Sequence, residues 1–430
     1  MGQFLKFLLA SCLGLFIGFF LLMGIGALVI GQAISASEKV KDVEANSVLH
    51  LTLDRPIPEQ TNNLEIDPFA FETESTLGLT AIVDAIDRAA EDDNIKGIFL
   101  EPEQLSAIGL ASSGVIRDAL VDFKKKGKFI IAYGDYYTQA GYYLAATADE
   151  VLLNPLGIVD LRGFSTQIPF FKDMLDRIGV NMQVYYAGKF KGATEPYRLN
   201  ELSDANRQQI RTYLDDVYNH FLMGLSDARG LSVPELRQIA NDYEGIDPNS
   251  ALSSGLVDVI DHRDAALNRL RDRLGLEEDE DIKRVSLSAY AKASKADKDY
   301  SVKDKIAIIY AEGAIVDGNG TPGTIGDEQY VKYIKEARKS DRIKAVVLRV
   351  NSPGGSAMAS ENIWKEIRLT QEAGKPVVVS MGDYAASGGY YISAAADSIF
   401  AEPNTLTGSI GVFSLIPDAS DLMNEKLGIH

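Results

Sequence analysis

The sequence predicts an α/β protein built as a tandem duplication behind an apolar N-terminal segment. Three observations lead there. A ten-residue block occurs twice, at residues 134–143 and 382–391. Other matching blocks lie at the same separation of about 248 positions, too long a period for a solenoid. Within each copy, strand-like and helix-like patterns alternate, as parallel α/β units require.

The first block reads Gly134-Asp135-Tyr136-Tyr137-Thr138-Gln139-Ala140-Gly141-Tyr142-Tyr143. The second reads Gly382-Asp383-Tyr384-Ala385-Ala386-Ser387-Gly388-Gly389-Tyr390-Tyr391. Ile95–Leu100 aligns with Ile343–Leu348, Ala148-Asp149 with Ala396-Asp397, Pro155 with Pro403 and Gly78 with Gly326. Where the second copy has Ser387, the first has Gln139. A hydroxyl present in one copy only marks that position as a candidate nucleophile.

The first element is the apolar segment. From Phe7 to Ile34 there is no charged residue. That is enough to cross a hydrocarbon core of about 30 Å, and longer than the apolar core of about 7–15 residues in a cleaved signal peptide. Residues 1–36 are therefore expected to be a retained transmembrane helix contacting the lipid bilayer. Leu9-Ala10-Ser11-Cys12 imitates a lipoprotein box, but the apolar run continues past Cys12. Lys6 before the span and Lys39 and Lys41 after it leave the orientation undecided by charge.

Residues 47–261 form the expected first domain. Val48–Leu53 alternates as a strand, and Leu79, Ile82, Val83, Ile86 and Ala90 place a helix over 79–91. Ile95–Leu100 and Phe129–Tyr133 read as buried strands. Val180–Ala187 reads as a strand running into Gly188-Lys189-Phe190-Lys191-Gly192. Ser203 caps a helix carrying Ile210, Leu214, Val217 and Phe221, and Ser232-Val233-Pro234-Glu235 is a capping box. Residues 262–301, rich in charge, are expected to be a helical or loose linker. Residues 302–430 are the expected second domain, which stops short of its counterpart to Lys189–Glu195; the chain reads as a fragment of a longer protein.

Composition excludes some functions. A net charge of −18 argues against nucleic-acid binding, which needs a basic face. The lone cysteine, Cys12, rules out a disulfide within the chain. No cofactor and no metal are expected.

A serine hydroxyl needs a base to become a nucleophile. The chain has four histidines, and none lies in a glycine-rich context. A lysine can serve if its amine is neutral. Shifting a lysine from about 10.4 to about 7 costs on the order of 4–5 kcal/mol of differential solvation, which burial supplies. Lys191, between Phe190 and Gly192-Ala193, has a suitable setting, but Lys189 lies on the same strand face and spacing does not choose between them. Asn351-Ser352-Pro353-Gly354-Gly355-Ser356 follows the strand Ala345–Val350, and its glycines can turn N–H groups into an oxyanion cavity. The Gly388 N–H, at the start of a helix expected to reach Ala396, is a further donor. The first copy, with Glu101-Pro102-Glu103-Gln104, lacks the glycine pair.

Three motifs together resemble the long, duplicated form of the bacterial signal peptide peptidase A family: residues 351–356, residues 385–391 and Gly188-Lys189-Phe190-Lys191-Gly192-Ala193-Thr194-Glu195-Pro196. The resemblance spans the chain from the anchor to His430. It implies tandem domains of the Clp protease/crotonase-like fold and a serine endopeptidase acting on cleaved signal peptides and other hydrophobic peptides. It implies Ser387 as nucleophile, Lys191 as base, and Gly354, Gly355 and Gly388 around the oxyanion. It also implies a single pass through the inner membrane, catalytic domains facing the periplasm, and a homotetramer. A crotonase-like acyl-CoA enzyme or a non-catalytic membrane scaffold are the alternatives.

Overall fold

The computed structural model describes residues 43–61, 63, 76–102, 105, 108–294 and 301–430, together with residues 2, 3, 14 and 23. The expected anchor, residues 1–36, lies outside the described residues apart from those four positions. Among the described residues no helix is long and apolar enough to cross a membrane.

The first half runs β1 (Ser47–Thr52), α1 (Leu79–Glu91), β2 (Ile95–Glu101), α2 (Leu110–Lys125), β3 (Phe129–Tyr137), α3 (Gln139–Ala145), β4 (Glu150–Val159), α4 (Lys172–Ile178), β5 (Asn181–Tyr186), α5 (Glu195–Arg198), α6 (Asp204–Arg229), α7 (Val233–Asn241), α8 (Pro248–Ser253), β6 (Val259–Ile260), α9 (Arg263–Leu274), β7 (Arg284–Ser286) and α10 (Leu287–Ala293). The second runs β8 (Lys305–Glu312), β9 (Ala314–Val316), β10 (Thr324–Gly326), α11 (Asp327–Lys339), β11 (Ile343–Ser352), α12 (Ala357–Glu372), β12 (Val377–Ala386), α13 (Gly388–Ser393), β13 (Ser398–Phe400), β14 (Leu406–Gly408) and β15 (Phe413–Asp418).

Each half is built on a parallel sheet. The first has the order β6-β4-β3-β2-β1-β7 and the second β13-β12-β11-β8, with β14 also on β12. Parallel strands covered on both faces read as continuous apolar runs. Ile98, Phe99 and Leu100 in β2 are all fully buried, which is why that run was legible as a strand.

The repeat has physical reasons. Gly78 and Gly326 are the N-caps of α1 and α11. The carboxylate of Asp149 accepts the Ile130 N–H at 2.8 Å, and that of Asp397 accepts the Val377 N–H at 2.7 Å. Each aspartate thereby ties the chain leaving a helix back to the strand before it.

Residues 262–293 are not a linker. Strand β7 pairs in parallel with β1, with Val48 opposite Arg284. Helix α9 lays Ala266, Leu270 and Leu274 over Val48, Phe99, Ile131 and Leu152. Leu287, Tyr290 and Ala291 of α10 join the main core of the first half. The charge sits on the solvent side of a narrow apolar stripe. The rest of the expected linker includes residues 295–300, outside the described residues.

One element joins the halves directly. Strands β5 and β15 form an antiparallel ribbon, with Tyr186 opposite Phe413 and Asn181 opposite Asp418. This ribbon carries the segment after β5 to the end of β12.

Candidate active site

Strand β12 delivers Ser387 to its C-terminal end, and α13 begins at the next residue. Ser387 has φ 54° and ψ −116°, a conformation that a residue with a side chain rarely adopts. Such a turn between strand and helix projects the hydroxyl out of the sheet. It is held by the Ser387 N–H, which donates to the Gly408 carbonyl at 2.8 Å. Helix α13 stops at Ser393, short of the expected Ala396. With only six residues its dipole is small, so individual N–H groups matter more than the helix field.

Lys191 comes from the other half. Its Nζ stands 3.0 Å from Ser387 Oγ, 2.6 Å from the Ser409 carbonyl and 3.1 Å from Ser409 Oγ. Lys191 is 6% exposed, and no carboxylate is among these partners. Burial pushes its amine below the usual lysine range. Strand β5 ends at Tyr186, so Lys189 and Lys191 lie in the following turn rather than on a strand face. Lys189 is exposed, with its ammonium 5.6 Å from the centre of the Phe190 ring. The structure brings Lys191, and not Lys189, to Ser387.

The lysine turn is anchored by Glu195, itself 1% exposed. Burial alone would raise its carboxyl. Hydrogen bonds from Ser203 Oγ at 2.6 Å, the Ser203 N–H at 3.1 Å and Asn206 Nδ2 at 3.1 Å more than offset this and hold it below the usual carboxylate range.

The glycine loop leaves β11 and folds against Ser387. Gly354 has φ +96°, and a Cβ there would lie 2.5 Å from the Gly388 nitrogen and 2.8 Å from Ser387 Cβ. Only glycine fits at that contact. The three expected donors are not equivalent. The Gly354 N–H donates to Ser352 Oγ at 3.1 Å. Among the described residues, no protein hydrogen bond uses the Gly355 or Gly388 N–H. The loop is stapled to β9, because the Ile315 N–H donates to the Gly354 carbonyl at 3.0 Å and the Ser356 N–H to the Ile315 carbonyl at 2.9 Å.

Histidine plays no part in this geometry. His50 Nε2 is 2.5 Å from Glu101, and His262 is the N-cap of α9. A groove of about 840 Å³ beside β8, lined by Gln60, Thr61, Ile308, Tyr310 and Tyr333 among others, contains neither Ser387 nor Lys191. Ser409 escaped the sequence reading. Its sequence signal was slight, a serine in the run Gly408-Ser409-Ile410-Gly411; the structure shows it at φ 49° between two glycines of positive φ.

A nucleophile-type hydroxyl beside a buried amine, next to two unengaged N–H groups, is the outfit of an acyl-transfer site. Comparison with known proteins gives the class. Peptidase family S49 matches residues 122–277 and 370–430. Protease 4 of Salmonella typhi is 34% identical, over 99% of this chain and 70% of its own. Protease 4 of Haemophilus influenzae is 37% identical, over 81% of this chain and 58% of its own. The chloroplastic serine protease SPPA of Arabidopsis thaliana is 35% identical, over 90% of this chain and 56% of its own. The chain belongs to peptidase family S49. It spans little more than half the length of the Haemophilus and Arabidopsis relatives.

Proposed function

We propose that this chain is a serine endopeptidase that works through a Ser387/Lys191 dyad. The observation that carries the reading is the 3.0 Å approach of Lys191 Nζ to Ser387 Oγ in a buried setting without a carboxylate. A neutral amine has two N–H bonds and one lone pair. Ser409 offers two acceptors, its carbonyl and its hydroxyl oxygen, at 2.6 and 3.1 Å. The lone pair is then left for the Ser387 O–H.

The steps follow from this arrangement. Ser387 Oγ attacks the peptide carbonyl carbon as its proton passes to Lys191 Nζ. The carbonyl oxygen becomes an oxyanion and takes the Gly355 and Gly388 N–H groups. Gly354 contributes shape, its own N–H being engaged by Ser352. The Lys191 ammonium returns the proton to the leaving amine, and an acyl-enzyme remains on Ser387. Lys191, neutral again, takes a proton from the water that attacks the ester and passes it to Ser387 Oγ as the C–Oγ bond breaks, releasing the acid and restoring the dyad.

The substrates we propose are hydrophobic peptides, including cleaved signal peptides. The chain next to the dyad exposes apolar side chains in support: Phe190 at 49%, Ile410 at 72% and Val412 at 62%. The Salmonella and Haemophilus relatives are named as proteases, and an Enterococcus faecium relative, 39% identical over 29% of this chain, as a putative signal peptide peptidase. We also assign the halves to the Clp protease/crotonase-like fold and, for the full-length protein, a single-pass inner-membrane anchor, a periplasmic catalytic face and a tetramer. The apolar run Phe7–Ile34 supports the anchor.

A fluorophosphonate probe tests the chemistry. It should label the protein once, at Ser387 by peptide mass spectrometry, and Ser387→Ala should abolish both labelling and hydrolysis of an apolar peptide. Labelling elsewhere, or hydrolysis surviving in that variant, would sink the assignment.

A further inference from the structure

We propose that Asp383 is a positioning residue: it locks the first half onto strand β12 just ahead of Ser387 and so sets the Lys191–Ser387 distance. The inference rests on the dyad reading above.

Helix α2 opens on Gly109, which has no side chain to cap the first turn. Helix N-termini leave N–H groups that need acceptors. Here the acceptor comes from the other half. The Asp383 carboxylate takes the Ser112 N–H at 2.9 Å and the Ser112 hydroxyl at 2.6 Å. Ser112, in the first turn of α2, is 4% exposed. An anion at this end also complements the helix dipole. The approach is close: a Cβ on Gly109 would lie 2.0 Å from Asp383 Cγ.

The arrangement is not a by-product of the repeat. In the second half, α12 is capped by its own Ser356, whose Oγ accepts the Ala359 N–H at 3.2 Å. Asp135, the counterpart of Asp383, accepts from Tyr133 Oη and Asn154 Nδ2, both at 2.7 Å and both in its own half. Helix α2 thus borrows its cap from the strand that carries Ser387.

The contact closes a mechanical loop. Arg117 Nη2 in α2 donates to the Gly224 carbonyl of α6 at 2.8 Å. The first turn of α6 holds Glu195 through Ser203 and Asn206. Glu195 ends the turn that carries Lys191. One path runs from Ser387 along β12, through Asp383 to α2, through Arg117 to α6, and through Glu195 to Lys191. Its two ends meet at 3.0 Å.

Reactive geometry is steep in distance, with a displacement of about 1 Å costing on the order of 100-fold in rate. Asp383→Ala should therefore lower kcat and the rate of Ser387 labelling by roughly 10–100-fold while KM stays within about 3-fold. Asp383→Asn, whose Oδ1 still accepts the Ser112 N–H, should stay within about 5-fold of wild type. Gly109→Ala leaves the carboxylate in place but excludes it, and should reproduce the loss seen in Asp383→Ala. The double variant should be no worse than either single one, since both break one contact. Hydrogen exchange supplies a readout independent of the chemistry: amides 187–192 should exchange faster in Asp383→Ala. Wild-type labelling in that variant, a change in KM alone, a loss that merely tracks the unfolded fraction, or unchanged exchange at 187–192 each overturns the proposal. If wild-type protein fails to label at Ser387, the dyad reading fails, and the exchange experiment still decides whether Asp383 holds the lysine turn.

Discussion

Strands β3 and β12 end within one residue of the same place in the two copies, yet their exits differ. In the first copy Thr138, at φ −63° and ψ 164°, caps α3 by accepting the Gly141 N–H at 3.0 Å. Gln139 then begins the helix, and its Oε1 accepts the Arg162 N–H at 3.0 Å. In the second copy Ser387 stands at φ 54° with no capping bond, its hydroxyl turned to Lys191. A relaxed threonine cap stabilises a helix by about 1 kcal/mol, whereas a strained backbone position costs about 1–3 kcal/mol. The same strand-to-helix exit can therefore be built without strain. Its retention at one of the two copies is hard to explain by folding and is what presentation of a hydroxyl requires.

The largest break in this comparison comes from the two aligned residues. Ser387→Ala should lower peptide hydrolysis by at least about 10⁴-fold, as loss of a nucleophile does elsewhere, without lowering the melting temperature. Alanine keeps the Cβ and leaves the strained turn as it is, removing only the hydroxyl and its bond to Lys191 Nζ. Gln139→Ala should leave turnover within about 2-fold, because the first copy has no glycine pair in sequence and, among the described residues, no lysine hydrogen-bonded to Gln139. A comparable loss from Gln139→Ala would show that the first junction also takes part in the chemistry.

Next in size is the lysine pair. Lys191→Ala should lose roughly 10³-fold or more in acylation, and Lys189→Ala less than about 3-fold. The pH profile has a definite sign. Burial lowers the Lys191 pKa, so the ammonium dominates below it and the rate rises with pH as the amine loses its proton. The same shift acts on stability. Between the depressed folded value and the ordinary lysine value, the unfolded chain binds more protons, so this group's contribution to stability rises with pH across that window. Lys191→Met should flatten that part of the stability curve. Denaturant melts from pH 6 to pH 10 would show it, and an unchanged slope would count against a depressed lysine.

Much of the fold was legible because parallel strands buried on both faces announce themselves as apolar runs, and because the repeat aligned each with its twin. The segment 262–293 was misread for a physical reason. Helix α9 buries only Ala266, Leu270 and Leu274, and β7 is three residues long, so neither leaves a strong periodic signal. At the site, Ser387 and its glycines stood out by composition. Lys191 could not be separated from Lys189 by strand alternation, because β5 ends before either of them. Ser409 and Asp383 were invisible for the same reason: each acts through a contact between halves, which no local pattern encodes.

The sheets offer a second contrast. In the first half, Phe99 lies between His50 and Ile131 in register and is sealed by α9. In the second, the matching row is Ile308, Val347 and Val378, and Ile308 is 57% exposed. Phe99 corresponds to Val347, and Ile308 stands beside it on the edge strand β8, so matching rows of the two sheets carry unequal weight. Phe99→Ala should cost about 3–5 kcal/mol, and Ile308→Ala should stay within about 0.5 kcal/mol. Equilibrium urea unfolding of the two variants measures both, and a large loss at Ile308 would mean that this face is covered in solution.

The smallest loss of activity expected from a contact of the dyad is at Ser409, and it sharpens the account of how Lys191 is held. Two of the amine's three contacts come from this residue, but only one is to the side chain. Ser409→Ala removes the 3.1 Å bond to Oγ and keeps the shorter bond to the carbonyl. The amine then has one N–H without its partner and more freedom to turn its lone pair away from Ser387. A loss of about 5–20-fold in kcat follows, well short of that for Lys191→Ala. Ser409 also sits at φ 49°, so alanine there carries a backbone penalty that glycine avoids. Ser409→Gly should therefore be the more stable of the two variants while losing the same hydroxyl. If both lose activity equally, the missing hydrogen bond is responsible. If glycine alone restores the rate, the turn matters and the hydroxyl does not.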